Sequence, residues 1–243
     1  MELDGRVALV TGAARRVGRA IALRLADSGC HLAVHCGRSV AAAKKTAEEC
    51  RSQGVEAEVF ECDLADSDEV GGLIPRVLTR FNRLDILVNN ASVFERMAIG
   101  EFDLATWQRT LQINLTAPMM LAHSAHSALR AAGGRVVNIC DIATLRPWPE
   151  HLAYVTSKGA LDTLTKALAR ALAPNVNVVG IAPGVAAWPE HYNLETRERL
   201  TARIPLRRAG TPEDIVAAVH FVLSAGDYIT GVIIPVDGGR SAV

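Results

Sequence analysis

The sequence predicts an α/β fold with a doubly wound, mostly parallel sheet of seven strands, and three observations predict it. Short apolar, β-branched runs alternate with helical patterns of ten or more residues along nearly all 243 residues. Each apolar run ends in a polar or glycine-containing turn, where an open parallel sheet keeps its ligand sites. No Ser/Gly-rich linker and no repeat interrupts the alternation, so residues 1–243 are assigned to one domain, and a hydrophobic content of 49% can fill its core. Strands joined through helices require right-handed crossovers, which cover both faces of the sheet.

The elements follow in order. Arg6 to Val10 reads as the first strand, and Thr11 to Arg15 as a turn. Val17, Ala20, Ile21 and Leu25 then form the apolar stripe of a helix that stops at Gly29. His31 to His35 is a second strand, Ser39 to Gln53 a helix with Ser39 as N-cap, and Val55 to Phe60 a third strand. Asp66 to Phe81 reads as helix and Leu84 to Val88 as strand. One long helix is expected from Asp103 to Leu129, with the polar Asn114 in an apolar setting. Val136, Val137 and Ile139 make a fifth strand that ends at Cys140-Asp141, and a helix begins near His151. A strand at Val176 to Gly180, helices at Leu194 to Ala202 and Pro212 to Leu223, and a strand at Val232 to Val236 complete the chain.

Composition narrows the function. The 26 basic and 26 acidic residues cancel without a long run of either sign, so neither nucleic acid nor a membrane surface is an expected partner, and a small molecule is. Five scattered cysteines, Cys30, Cys36, Cys50, Cys62 and Cys140, form no C-x-x-C pair and read as reduced core residues. The first residues lack the basic-then-apolar pattern of a signal peptide. The uncharged span 171–189 holds Pro174, Asn175, Asn177, Pro183 and Pro189, which rules out a membrane helix there. A cytoplasmic location is expected.

The chemistry is sought at the strand ends. Tyr154 and Lys158 are four apart and share a helix face; a phenol titrates near ~10, and a nearby cation favours the phenolate. Asp141, at the end of the preceding strand, can join them. After the first strand, Gly12 and Gly18 flank a turn that lets backbone approach a pyrophosphate at the helix N-terminus, with Arg16 as an added charged donor. After the second strand comes His35-Cys36-Gly37-Arg38-Ser39. A guanidinium and a hydroxyl replace the carboxylate that would hold the 2′-OH of NAD, which favours a 2′-phosphate and hence NADPH. Asp63 either accepts from an adenine amino group or caps the next helix. His123 and His126 have a metal-compatible spacing but no third ligand, so no metal is expected.

These residues resemble the short-chain dehydrogenase/reductase family, a Rossmann-fold family, over nearly the whole chain. The Thr-Gly-…-Gly turn, Asp63, Asn89-Asn90-Ala91, Asn114, Tyr154/Lys158, Pro183-Gly184 and Asp237-Gly238-Gly239 all occur in the family's order. The resemblance implies that Tyr154 donates a proton, that Lys158 holds the nicotinamide ribose and lowers the phenol pKa, and that Asn114 supports a water linked to Lys158. It places NADP(H) on Gly12, Arg16, Val17 and Gly18 in the turn, and on His35, Arg38 and Ser39 beyond the second strand. Asp63 and Leu64, then Asn90, Ala91 and Ser92, continue that surface. Tyr154, Lys158, Pro183, Gly184 and Val185 finish it at the nicotinamide. A homotetramer is implied as well, although Leu161, Leu164 and Leu168 are compatible with either the sheet or a neighbouring copy.

Departures from the family point to the substrate. Arg16 stands where glycine is usual, Asp141 stands where the catalytic serine is usual, and Gly184 is followed by Val-Ala-Ala-Trp-Pro without the common threonine. An ionised Asp141 would repel an oxyanion, so an ordinary ketone fits poorly, whereas a carboxyl suits a ligand that is protonated on nitrogen. The combination resembles pteridine reductases. That likeness puts Phe94 on the pterin ring, Arg16 and Ser92 in contact with it, and Asp141 and Tyr154 in proton delivery. The expected function is therefore NADPH-dependent reduction of a dihydropterin or dihydrofolate. The alternatives are a carbonyl reductase such as a 3-oxoacyl-carrier-protein reductase, and a non-catalytic dinucleotide sensor. Trp148 and His151 are open between pocket and surface, and Trp188, Pro189, His191 and Tyr192 are candidates for a lid.

Overall fold

The central strands are short and buried on both faces, and the two edge strands are partly exposed. In a computed structural model that describes residues 1–186, 188 and 193–243, the strands are β1 (Val7–Val10), β2 (His31–Cys36), β3 (Ala57–Glu61), β4 (Ile86–Asn89), β5 (Arg135–Ile139), β6 (Asn177–Pro183) and β7 (Ile233–Val236). They form one sheet in the order β3-β2-β1-β4-β5-β6-β7. Every neighbouring pair is parallel, so the sheet is parallel throughout rather than mostly so.

Alternation along the strands builds two cores. Ala8 and Val10 of β1, with Ile86 and Val88 of β4, face α1 (Arg16–Asp27), α2 (Val40–Arg51) and α8 (Pro212–Ser224). Val7 and Leu9, with Leu87, face the opposite layer of α3 (Ser67–Phe81), α5 (Ala117–Ala132) and α6 (Leu152–Leu172). Two-faced burial is what makes these strands near-continuous apolar runs. Leu161 and Leu168 are buried within the chain, and Leu164 packs against the same cores, so this stripe of α6 faces the sheet. All five cysteines are free and buried. Among the described residues no helix is long and apolar enough to cross a membrane.

The expected helix from Asp103 to Leu129 is interrupted. Asp103 caps α4 (Leu104–Leu111) by accepting the Thr106 N–H at 2.7 Å. Gln112–Thr116 then forms a π-helical turn before α5 begins. Pro118 supplies the reason: it has no N–H to return to the Asn114 carbonyl four residues back, and its ring would clash there. Between α7 (Leu194–Thr201) and α8 lies Arg207, which has a left-handed backbone with φ 55°.

Candidate active site

β1 is flanked by β2 and β4, so the chain's winding reverses between β1 and β4, and that crevice is the place for a ligand. The two strand ends there are bolted together. The Thr11 hydroxyl accepts the N–H groups of Asn90 at 2.9 Å and Ala91 at 3.0 Å, while Asn90 Nδ2 donates to the Thr11 carbonyl at 2.8 Å. Gly12 has φ 65°, and a Cβ at Gly18 would fall 2.3 Å from the Gly12 carbonyl oxygen and 2.4 Å from Asn90 Nδ2. Both glycines are thus required by the turn itself. Arg16, in contrast, holds φ 52° with a side chain attached, a conformation that costs on the order of 1 kcal/mol in a non-glycine residue.

His35 is fixed behind this turn. Its Nδ1 accepts the Gly12 N–H at 3.0 Å, and its Nε2 lies 3.0 Å from the Cys62 carbonyl oxygen, to which it donates in the tautomer that Gly12 selects. Burial drives its pKa down to about 4, against the opposing pull of the Cys62 carbonyl. With both ring nitrogens engaged and the residue buried, His35 shapes the turn from inside and offers no side-chain donor to a cofactor. Arg38 is exposed beyond it, and Ser39 is the N-cap of α2 without a side-chain capping bond. Asp63 does not cap α3: Asp66 accepts the Asp68 and Glu69 N–H groups, and Asp63 Oδ1 accepts from Ala65 N–H at 3.0 Å. Leu64 is buried and its carbonyl accepts from Gln112 Nε2 at 3.3 Å. At β6, a Cβ on Gly184 would lie 2.9 Å from Asp237 Cα, and the Val185 carbonyl accepts the Gly210 N–H at 2.8 Å, which leaves the Pro183-Gly184-Val185 backbone tight against β7.

On the other side of the crevice, Tyr154 Oη donates to Asp141 Oδ2 at 2.5 Å. Asp141 caps a short 3-10 turn at Ile142–Thr144, where its Oδ1 accepts the Ala143 N–H at 2.7 Å. Lys158 Nζ donates to the Ile139 carbonyl at 2.7 Å and lies 5.8 Å from the Tyr154 ring centroid. The three side chains therefore do converge. Their electrostatics differ from the sequence expectation, which has Lys158 lowering the phenol. Burial, and then the charge and hydrogen bond of Asp141, push Tyr154 well above the usual phenol value. The carboxylate adds to the effect of burial, since an acceptor on the phenol proton stabilises the neutral form. Burial also raises Asp141, opposed by Tyr154, Ala143 N–H, Lys158 and Arg240, and it lowers Lys158.

Asn114 spends its whole side chain on structure. Its Nδ2 donates to Val93 O and Ser157 Oγ, both at 3.0 Å, and its Oδ1 accepts from Val93 N–H at 2.9 Å and Ser92 Oγ at 3.2 Å. An amide has no further hydrogen-bonding capacity, so the Asn114 side chain is wholly committed to holding the Ser92–Val93 loop against Ser157. Ser157 completes the clamp by donating to the Tyr154 carbonyl at 2.7 Å.

The clamped loop carries Phe94. Its ring stacks on His151 at 4.1 Å and meets Tyr154 edge-on at 4.7 Å and Trp148 edge-on at 5.8 Å. His151 Nδ1 is 2.9 Å from the Glu95 carbonyl oxygen, so the same ring fastens the loop to the start of α6. Trp148 and His151 thus belong to the site wall. The roles of Thr11, Ser157 and the His151 stack were not visible in the sequence; the one available signal was Ser157, three residues past Tyr154 and so on its helix face. His126 is engaged with the His123 carbonyl and Ser127, away from the crevice. Of the possible lid, Trp188 is partly buried, and Pro189, His191 and Tyr192 lie outside the described residues.

Residues 12–241 match a protein-family profile described as enoyl-(acyl carrier protein) reductase. The 3-oxoacyl-[acyl-carrier-protein] reductase of Synechocystis sp. is 35% identical over 241 residues, covering 98% of this chain and 97% of that protein. Two solved structures superpose with TM-scores of 0.93. FolM alternative dihydrofolate reductase 1 from Brucella canis, complexed with NADP, is 35% identical and covers 100% of this chain and 96% of its own. Angucycline C-6 ketoreductase LanV, with bound NADP, is 31% identical and covers 100% of this chain and 98% of its own.

Proposed function

The chain belongs to the short-chain dehydrogenase/reductase family, and from that premise we propose that it is an NADPH-dependent reductase of a pterin-type substrate, a dihydropterin or a dihydrofolate. The cofactor is NADP(H), in line with both neighbours that hold it. The residues fit it: the turn admits no Cβ at Gly18, holds Gly12 at positive φ, and leaves Arg38 and the Ser39 hydroxyl free to meet a 2′-phosphate. When bound, NADPH supplies a hydride.

The observation that carries the substrate reading is the 2.5 Å hydrogen bond from Tyr154 to Asp141. A serine in that position would donate to a developing oxyanion, but Asp141 only accepts when ionised and repels such a charge. With its pKa raised by burial, the carboxyl holds a proton more readily than a surface aspartate and shares it with the phenol. The pair is suited to place that proton on a ring nitrogen. Lys158, buried and hydrogen-bonded to Ile139, stands beside the couple. Phe94 offers an aromatic face for a flat ring and Arg16 a donor, which gives the strained backbone of Arg16 a use.

The test mixes the purified protein with NADPH and dihydrobiopterin, dihydromonapterin or dihydrofolate and follows the nicotinamide absorbance. Oxidation with at least one of them is expected; none with any removes the pterin reading. The second reading, a carbonyl reductase, is favoured by the identity to 3-oxoacyl-[acyl-carrier-protein] reductases. Asp141→Ser separates the two: it should lose pterin turnover and gain ketone turnover. A homotetramer, tested by sedimentation, remains part of the proposal.

A further inference from the structure

Beside the Tyr154–Asp141 couple lies a cavity of about 940 Å³ whose wall starts at Ile142 and Ala143, the residues that follow Asp141. Trp148, already edge-on to Phe94, continues the wall, and Pro147, Ile204 and Pro205 extend the apolar part of it. The same lining is cationic. Arg146, Arg203, Arg207 and Arg240 all line it, and no lining side chain is acidic. Among the described residues none of these four makes an ion pair, so no carboxylate of the protein neutralises them there. The protein's formal net charge is zero, so this excess is local. Arg240 also opposes the effect of burial on Asp141, so the cavity's charge reaches that carboxyl. Arg207 is held in place by its bond to the Ala202 carbonyl and sits at a left-handed backbone position.

We propose that the substrate carries a multiply anionic tail, joined to its reacting ring through an apolar or aromatic spacer, and that this tail lies among Arg146, Arg203, Arg207 and Arg240. The make-up of the lining decides it. Trp148 joins the cavity to the Phe94 and Tyr154 rings, and the same cavity presents guanidinium groups, which pair with carboxylate or phosphate oxygens, in bidentate fashion where geometry permits. The inference rests on the proposed reaction for the ring end alone. It favours the carboxylates of a dihydrofolate, or of its γ-linked oligoglutamate forms, over a dihydropterin with a neutral side chain; a phosphorylated pterin satisfies the same chemistry.

The experiment compares KM for dihydrobiopterin, dihydrofolate, dihydrofolate tri-γ-glutamate and dihydroneopterin phosphate in the wild type and in an Arg146→Gln/Arg203→Gln double variant. Both positions are exposed and neither is hydrogen-bonded to the couple among the described residues, so the variant should fold and keep its turnover of dihydrobiopterin. The expected result is a KM that falls as tail charge rises, with a loss of about tenfold on the anionic substrates alone in the variant. A gain confined to the phosphate substrate identifies the tail as phosphate, and one confined to the glutamates identifies it as carboxylate. In parallel, calorimetry measures p-aminobenzoyl-tri-γ-glutamate and inorganic pyrophosphate binding to the NADPH-saturated protein. Tail binding that the variant abolishes, with no pterin oxidised, upholds the cavity and removes the pterin reading. Pterin turnover with equal KM values in both proteins overturns the cavity and leaves the pterin reading standing. Absence of both binding and a KM difference also overturns it.

Discussion

At Asp141 burial and hydrogen bonding pull in opposite directions, and burial prevails, which leaves the carboxyl above its ordinary range. A carboxyl whose folded pKa lies above its unfolded value costs nothing at low pH. It destabilises the protein as pH rises through the folded pKa, when a buried charge must form. Asp141→Asn is therefore expected to hold or raise the melting temperature at pH 7 while pterin turnover drops by about 100-fold. Calorimetric melting and initial rates check this; a variant that melts lower yet keeps its rate would refute the assignment. The identities of Asp141, Tyr154 and Lys158 and their common site were legible in the sequence, because spacing on one helix and position at a strand end are properties of the chain itself. Where the phenol proton points was not legible. It depends on burial and on a contact between residues 13 apart, and no periodicity encodes either.

Among elements, the ends of β1, β2 and β3 meet at one imidazole. His35 is neutral when it accepts from Gly12, and its folded pKa of about 4 lies below the ordinary value of 6.5. Between these values the unfolded chain binds the extra proton. The contribution of His35 to stability is therefore complete above pH 6.5 and disappears as pH falls toward 4, by roughly 3 kcal/mol in all. Melting curves from pH 4.5 to 7.5 should show the wild type gaining stability with pH, and His35→Ala losing about one proton's worth of that slope together with NADPH affinity. Equal slopes would show that another group titrates. The sequence marked His35 through its place after the second strand, but as a surface for the cofactor, because burial behind the turn has no local signature. The π-helical turn was in principle readable from Pro118, four residues past Asn114; apolar periodicity alone ran through it.

For the whole molecule, the amino ends of the sheet are tied by Asp85, which is fully buried. It accepts from Arg83 at 2.7 and 2.8 Å, from Arg6 at 2.8 Å and from Val7 N–H at 2.9 Å, and its carbonyl takes the Arg135 N–H. Burial alone would raise its pKa, but these donors outweigh it and hold the carboxyl below the usual range. Its stabilisation is present at neutral pH and is lost as pH falls through that depressed value. Asp85→Asn should lower unfolding stability by about 3 kcal/mol in urea at pH 7 with KM for NADPH unchanged, whereas a loss under about 1 kcal/mol would contradict a tie of this kind. The alternation of elements was enough to read a doubly wound sheet. It could not order the strands or find this knot, since Arg6, Asp85 and Arg135 are joined only by folding. One consequence follows for anyone who wishes to alter the protein. Asp85 and the turn at Gly12 stand at opposite rims, separated by a strand length of about 13 Å for four residues. Changes made for robustness at the first rim and changes made for selectivity at the second should add without interfering, so the two can be engineered in parallel and combined at the end.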